Sequence, residues 1–419
     1  MGVPRPLRPL RHRSYAMLWT GAFLSNVGTW METVAVGILV TADTGQAGWT
    51  GLVAAAGFVP AAVLGPIGGA LADRVARKPL LLTMTVVQTG LAALLAVLAA
   101  FDAAAPGTVV VIVFLAGCSQ AIGFPTYQAV IPDLVPAEDL TGAVALGAAQ
   151  WNLGRVVGPA LAGVVIAVGG YEWAFGINAL SFVAVILAVA PLRLPPPQHA
   201  GIPVFAAIRE GWRYAAKEPG LRAVITYAAL TFFLAGPFIA LVPAMALEVL
   251  DKGSAGTSVL VTAQGIGAVI MAFSLGTLTL KFGSRHVLLA MLGVLPVTLI
   301  AYALSPNLAL AAIAIFFVGT VYLGAFSSIF AIVQHRAPAQ FRGRVLSVIM
   351  VLLGSVYPIG AILQGSLADR IGLRATTAGA GLALGLAIVT LHLIRPRFAA
   401  SLDGAVDADL AAPVASAPA

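Results

Sequence analysis

Charged residues are scarce in this sequence. Asp, Glu, Lys and Arg together make up 9% of its 419 residues, whereas a soluble domain carries about 25%. A soluble protein with so few charges could not cover its surface with polar groups. In lipid, by contrast, apolar side chains can face outward. The composition, with a mean hydropathy of +0.99, therefore indicates an integral membrane protein.

The groups that carry out enzyme chemistry are also missing. The single cysteine, Cys118, can form neither an intrachain disulfide nor a multi-cysteine metal site, and the five histidines are scattered. The Gly-x-x-x-x-Gly-Lys-Ser/Thr loop of ATP-driven pumps does not occur in the sequence. A membrane enzyme or receptor would need a catalytic cluster or a large sensory domain. We therefore expect no enzyme, no cofactor and no metal site.

What the sequence does contain is a series of apolar runs, each long enough to cross about 30 Å of hydrocarbon. Their number and length predict an all-α membrane protein with twelve transmembrane helices. The twelve runs cover residues 15–40, 49–71, 79–100, 108–131, 141–168, 173–194, 223–247, 257–280, 287–304, 308–333, 345–367 and 375–394.

The runs fall into two groups of six. They predict an N-terminal bundle in residues 1–194, a cytoplasmic linker in 195–222 and a C-terminal bundle in 223–394. In the linker, apolar and charged residues from Phe205 to Lys217 alternate at helical spacing, which is typical of an amphipathic helix on a membrane surface. The Ala/Pro/Asp-rich end, residues 395–419, is predicted to be a disordered cytoplasmic tail.

Lys and Arg predict the orientation. With both termini in the cytoplasm, 19 of the 23 basic residues lie in inner segments, a bias that fixes topology in membranes. Lys252, Arg370 and Arg374 fall outside, and Arg155 lies within a span. Because the net charge of +7 is spread over these short loops, it does not indicate nucleic-acid binding.

The loop after the second run contains a motif that recurs in part. It reads Gly69-Ala-Leu-Ala-Asp73-Arg74-Val-Ala-Arg77-Lys78, and the equivalent loop of the second half reads Gly276-Thr-Leu-Thr-Leu-Lys-Phe-Gly-Ser-Arg285. Duplicated halves are typical of secondary transporters, whose substrate site lies between the repeats.

This loop resembles the signature Gly-x-Leu-x-Asp-Arg-x-Gly-Arg-Lys/Arg of the major facilitator superfamily. It departs from the signature at Ala76, and the second copy has Leu280 in place of the aspartate. The opening from Leu7 to Tyr15, followed by Ser25, Gly28 and Trp30, is similar to the exporter branch with the bacterial enterobactin exporter and macrolide efflux pumps. The resemblance implies two pseudo-symmetric six-helix bundles that transport by alternating access.

The resemblance also implies a cytoplasmic gate. Asp73 is expected to lie against the N-terminal end of span 11 and to pair with Arg342 or Arg344, holding the cytoplasmic side closed. Alternatively, the positive charges only fix topology. The gate residues expected are Gly69, Asp73, Arg74, Arg77, Lys78, Arg342 and Arg344.

Span 5 resembles the antiporter signature Gly-x-x-x-Gly-Pro-x-x-Gly-Gly. Gly154, Gly158, Pro159 and Gly163 match it, and Ala162 replaces one glycine. Such residues allow close helix packing and a bend. In the family the signature accompanies antiporters, which favours export. The alternative is an ordinary packing face of small residues.

Two charged residues lie well inside spans, Glu32 in span 1 and Arg155 in span 5. At 1.5 Å per residue they lie at similar depths, about 25 and 21 Å from the start of their helices. We expect them to face one another and to couple transport to protons through Glu32. The alternatives are a fixed ion pair or a solvated Glu32. Span 4 lacks the arginine of many drug antiporters, so coupling would have to use these other residues.

Polar and aromatic residues of the spans are candidates for the cavity wall. A mostly apolar cavity favours an amphipathic or lipophilic substrate, although the aromatic residues could instead only pack. The cavity candidates are Ser25, Asn26, Gln120, Tyr127, Asn152, Phe233, Gln264 and Tyr322.

Together these features predict a secondary exporter of a small amphipathic molecule such as a drug, siderophore or secondary metabolite. An importer or facilitator of the same fold is the alternative. The expected partners are the substrate, protons as the coupling ion and the lipid bilayer, with no nucleic acid. We expect a monomer in the bacterial cytoplasmic membrane.

Overall fold

The computed structural model describes residues 5–196 and 204–403, and in this part of the chain eleven helices are long and apolar enough to span a membrane. One of them, Ala137–Val189, has 53 residues, which corresponds to about 80 Å of helix and exceeds twice the thickness of the hydrocarbon core. Gly170, at φ 81°, interrupts it and divides it into two spans. The prediction of twelve spans is thus confirmed.

The N-terminal half holds six spans. A 3₁₀ helix, Arg5–Arg11, leads into the first of them. On either side of Gly170 we number the two spans α5, residues 137–169, and α6, residues 171–189. The other four are α1 (Arg13–Thr44), α2 (Ala47–Arg74), α3 (Arg77–Ala100) and α4 (Pro106–Leu134).

The linker and the C-terminal half follow. Helix α8, residues Pro219–Val249, includes two π-helical turns, Thr231–Ala235 and Met245–Val249, on either side of Pro237 and Pro243, which cannot donate a backbone hydrogen bond. The remaining elements are α7 (Val204–Lys217), α9 (Gly253–Phe282), α10 (Ser284–Ala303), α11 (Leu308–Arg336), α12 (Ala339–Ile371), α13 (Leu373–Ile394) and the short α14 (Pro396–Ala400).

Two boundaries differ from the sequence prediction. Helix α8 begins at Pro219 rather than at residue 223, because Glu218 caps it by accepting a 2.5 Å hydrogen bond from the Leu221 N–H. The predicted disorder of residues 395–419 is wrong for residues 395–403. There Phe398 is buried with its ring centroid 5.7 Å from that of Tyr227. Residues 404–419 and the linker residues 197–203 lie outside the described part.

The two halves meet along two pairs of helices, α2 with α12 and α5 with α9. We call the side with the chain ends and linker the termini side, and the opposite one the far side. Toward the far side, Gly51 packs on the backbone of Ala361 and Gly163 on Ser258. Toward the termini side the helices separate: a methyl group added at Gly65 or Gly147 would meet no atom within 4 Å. The halves are therefore in close contact toward the far side and less closely packed at these positions of the termini side, and we call the space between them on that side the cleft.

Candidate substrate cleft and gates

A group of aromatic residues surrounds one arginine at the end of the cleft that lies toward the far side. The guanidinium carbon of Arg155, on α5, lies 5.6 Å from the ring centroid of Trp30 on α1. Trp151, one turn earlier on α5, meets Trp30 edge-on at 5.7 Å, and Phe124 of α4 lies 6.2 Å from Trp151. Because Trp151 and Arg155 are four residues apart, they share one face of α5.

The C-terminal half closes this site from the other side. Tyr322 of α11 and Tyr357 of α12 lie within electrostatic range of the Arg155 guanidinium. Phe58 of α2 contacts the Tyr357 ring edge-on at 4.9 Å. Gly265 of α9 approaches the Arg155 backbone so closely that an added methyl carbon would lie 3.0 Å from its carbonyl oxygen. Arg155 therefore lies where the two halves meet.

Two hydrogen-bond donors at this site lack an acceptor. Nε of Arg155 and Nε1 of Trp30 are buried, and neither has a hydrogen-bond partner among the described residues. Within that part of the chain no carboxylate lies within 4 Å of the guanidinium. Buried donors are nearly always satisfied in proteins, so these two nitrogens are candidates for binding an acceptor.

The expected pairing of Glu32 with Arg155 is wrong. Glu32 accepts a 2.6 Å hydrogen bond from the side-chain amide of Asn178 on α6. Trp30 and Glu32 are two residues apart, so their side chains leave α1 in directions about 200° apart. Trp30 faces α5 beside Gly158, whereas Glu32 faces α6. The two charges have similar depth along their helices but lie on different faces.

The antiporter-type motif of α5 lies at helix contacts. Gly154 approaches Asn26 and Gly158 approaches Trp30, both on α1, whereas Gly163 approaches Ser258 of α9 in the other half. Pro159 is buried. The glycines thus allow α5 to pack closely on α1 of its own half and on α9 of the other half. A larger side chain at Gly158 would displace Trp30 from its position beside Arg155.

The gate motif at the end of α2 is open. Asp73 and Arg342 are exposed, and Arg344 instead pairs with Glu210 of the linker helix α7 at 2.5 Å. The expected pairing of Asp73 with Arg342 or Arg344 is therefore not formed. The reason is the separation of α2 from α12 on the termini side.

Arg77 of the same motif fastens the loop to α4 instead. It donates to the Asp133 carboxylate at 2.7 Å and to the carbonyl oxygens of Ala72 and Ala129 at 3.1 Å. Of the other gate residues, Arg74 is exposed, Lys78 half-buried, and a methyl group added at Gly69 would meet no atom within 4 Å. Sequence reasoning missed Asp133, which no motif marks.

A contact between the two halves on the far side was also missed, although the sequence carries a signal for it. Asp369, at the end of α12, accepts hydrogen bonds from the backbone N–H of Gly48 in the first turn of α2. The segment Gly365-Ser-Leu-Ala-Asp369-Arg370-Ile-Gly372 repeats the pattern of Gly69-Ala-Leu-Ala-Asp73-Arg74-Val-Ala76. Comparison of the two segments would have identified Asp369.

The predicted cavity residues divide into three groups. Tyr322 lies at the Arg155 site, and Asn26 and Asn152 are half-buried near it on α1 and α5. Phe233 lies in the first π-helical turn of α8, whose freed carbonyls accept hydrogen bonds from Gln364 of α12 at 2.9 and 3.1 Å. The remaining residues are bonded or buried: Gln120 accepts a hydrogen bond from Gln88 of α3, Tyr127 packs against the buried cluster that includes Leu18, and Ser25 and Gln264 are buried.

Several known proteins are similar to this chain over most of their length. It is 25% identical to macrolide efflux protein A of Streptococcus pyogenes over 85% of this chain and 90% of that protein. It is 29% identical to the multidrug efflux pump Tap of Mycolicibacterium fortuitum, over 89% and 92%. It is 26% identical to the staphyloferrin A transporter of Staphylococcus aureus, over 85% and 90%.

The fold is also found in solved structures. The crystal structure of a D-xylose–proton symporter superposes with a TM-score of 0.72 at 12% identity, over 93% of this chain and 99% of that one. The profile of the family described as transmembrane secretion effectors (MFS_3) matches residues 5–417. This match covers nearly the whole chain and agrees with the two-bundle fold. The chain therefore belongs to the transmembrane secretion effector family of major facilitator transporters and is not an enzyme.

Proposed function

We propose that this protein is a secondary active exporter that moves a small amphipathic molecule out of the bacterial cytoplasm by proton-coupled alternating access. The observation that carries the proposal is the cleft. It is closed on the far side, where α2 meets α12 and α5 meets α9, and open on the termini side. An exporter in this state is ready to load substrate from the side that the cleft faces.

The orientation supports loading from the cytoplasm. Nineteen of the 23 Lys and Arg residues lie on the termini side or in the segments next to it, and positive loops stay in the cytoplasm. The open side is then the cytoplasmic side and the Asp369 contact belongs to the extracellular gate. In the opposite state, Asp73 would meet the start of α12 and the Gly48–Asp369 contact would break.

Proton coupling is proposed for Glu32. Its carboxylate is half-buried in the membrane and its partner is the neutral amide of Asn178. A carboxylate held by an amide can gain or lose a proton without breaking an ion pair. Because α1 also carries Trp30, a change at the α1–α6 contact can be transmitted to the substrate site.

The substrate class is supported by the cleft and by the relatives. The wall around Arg155 is aromatic, which suits a molecule with an apolar body. The similar proteins are a macrolide efflux protein, a multidrug efflux pump and a staphyloferrin A transporter. We infer a drug, siderophore or secondary metabolite rather than a sugar.

An accumulation assay tests the proposal. The gene is expressed in a bacterial host that lacks its main efflux pumps, and intracellular erythromycin and staphyloferrin A are measured with and without a protonophore. We expect expression to lower the intracellular level of at least one compound, and the protonophore to restore it. Higher accumulation on expression would identify the alternative, an importer, and an effect insensitive to the protonophore would exclude proton coupling.

A further inference from the structure

We propose that Arg155 is an anion-binding residue and that the transported molecule carries a carboxylate or another acidic group. This inference rests on the proposed transport function and narrows its substrate class to amphipathic anions. It follows from the finding that the positive charge in the cleft has no negative partner in the described part of the protein.

The charge balance of the site is the first argument. An arginine within the membrane is unfavourable unless a partner or water compensates it. Glu32, the acidic residue at similar depth, is turned toward Asn178. The groups around the guanidinium are instead the neutral rings of Trp30, Tyr322 and Tyr357. A ligand with a negative charge would supply the missing compensation.

The direction of the donors is the second argument. Trp30 covers one face of the guanidinium at 5.6 Å, an arrangement in which the ring stabilises the cation while the N–H edge remains free. Nε of Arg155 and Nε1 of Trp30 are both buried donors without acceptors in the described residues. A carboxylate has two acceptor oxygens and matches the edge of a guanidinium.

The position of the site is the third argument. Arg155 belongs to the N-terminal half, whereas Tyr322 and Tyr357 belong to the C-terminal half. An anion bound at the guanidinium would therefore lie against both halves and could affect how they are held together. The aromatic wall formed by Trp151 and Phe124 continues from the arginine and would receive the apolar part of the same molecule.

The test compares two probes of nearly equal shape, 1-naphthaleneacetic acid and 1-naphthaleneacetamide. Their binding to the full-length protein in lipid nanodiscs is measured by titration calorimetry at pH 7.5, where the acid is ionised. We expect the carboxylate to bind at least about tenfold more tightly than the amide, because hydrogen bonds to charged groups are the strong ones. Equal binding, or no binding of the carboxylate, would overturn the proposal.

Variants then assign the preference to Arg155. Arg155→Gln is expected to bind both probes equally, and Arg155→Lys to retain a preference for the acid. Arg193→Gln, an exposed arginine at the end of the N-terminal bundle, is the matched control and should behave like the wild type. A preference that persists in Arg155→Gln would contradict the assignment. If a variant fails to fold, the comparison of acid with amide on the wild-type protein still tests the proposal.

The outcome separates this inference from the proposed function. If the accumulation assay shows export but acid and amide bind equally, the exporter stands and the anion site fails. If the acid is preferred through Arg155 but expression raises accumulation of the compounds, the anion site stands and the direction of transport is wrong.

Discussion

The backbone N–H of Gly48 donates hydrogen bonds to both carboxylate oxygens of Asp369, at 3.3 and 3.1 Å. This contact joins the first turn of α2 in one half to the last turn of α12 in the other. A carboxylate at the N-terminal end of a helix is stabilised by the helix dipole. The contact therefore favours the closed far side through the negative charge of Asp369. Substitution by asparagine removes this charge and keeps the shape of the side chain.

Asp369→Asn tests this gate. Loss of the charge at the α2 terminus is expected to weaken the closed far side by about 0.3–1 kcal/mol, or about two- to fivefold in the ratio of states. The fraction with an open far side, measured by pulsed EPR between spin labels at the exposed residues Phe101 and Leu304, should increase. Asp102→Asn, in an exposed loop of the same side, is the control. A wild-type distribution for Asp369→Asn would exclude the gate.

Close packing of α2 on α12 should be required for export. A methyl group at Gly51 would overlap the Ala361 carbonyl, whereas one at Gly65 on the same helix would meet no atom within 4 Å. Gly51→Ala should therefore cost about 1–3 kcal/mol in the closed far-side state and reduce export. Gly65→Ala carries the same substitution and should leave export near the wild-type level. Equal effects of the two changes would show that the contact is not required.

The sequence predicts the number of spans well, because the length of each apolar run is set by the bilayer. The segment Ala137–Val189 is long enough for two spans, and Gly170 divides it into α5 and α6. Side-chain partners were harder to predict. Glu32 and Arg155 lie at similar depths along their helices, but the rotation of each helix about its axis decides which side chains meet. Helices that are apolar on all faces give little indication of that rotation. Residue spacing along α1, from Trp30 to Glu32, already implied that both could not face α5.

The state of the gates could not be predicted from motifs either. A motif such as Gly69–Lys78 supplies charges but does not say in which conformation they meet a partner, and in this structure Asp73 is exposed. Asp369 escaped prediction for a different reason. Its segment repeats the same pattern on the far side, but the charge bias alone marks Arg370 and Arg374 only as exceptions and gives no partner for Asp369.

Asp73 and Arg77 should differ in their effect on stability. Arg77 is bonded in the observed state, so Arg77→Gln should lower the free energy of unfolding by about 1.5–3 kcal/mol. Asp73 is exposed, so Asp73→Asn should leave thermal unfolding of the purified protein unchanged while it reduces export. Melting curves and efflux rates of the two variants provide the check. A destabilised Asp73→Asn protein would show that its role is structural.

Glu32→Gln separates coupling from binding. The amide can still accept the hydrogen bond from Asn178 but cannot change its protonation. We expect export driven by a pH gradient in proteoliposomes to be lost, while exchange of substrate across the membrane without a gradient persists. Asp43→Asn, at the exposed end of the same helix, is the control. Undiminished pH-driven export by Glu32→Gln would remove this residue from the coupling mechanism.

A buried ion pair lies on the termini side of the C-terminal half. Glu218 and Arg336 are both buried and bonded to each other, and Arg336 also donates to the Leu402 carbonyl at 3.0 Å. Glu218→Gln should cost about 3–5 kcal/mol, because a buried cation loses its counter-charge. Asp403→Asn, which affects the more exposed 3.5 Å pair with Arg285, should cost less than about 1 kcal/mol. Similar melting temperatures for the two variants would contradict this ranking.

Alternating access is tested most directly by two distances measured on one protein in nanodiscs. One pair of spin labels at Phe101 and Leu304 reports the far side. A second pair, at the exposed residues Val75 after α2 and Phe282 at the end of α9, reports the termini side. On addition of the exported compound, we predict that the far-side distance increases in a fraction of molecules and the termini-side distance decreases in the same fraction. Distances that both increase, or a far side that opens while the termini side stays open, would contradict the account.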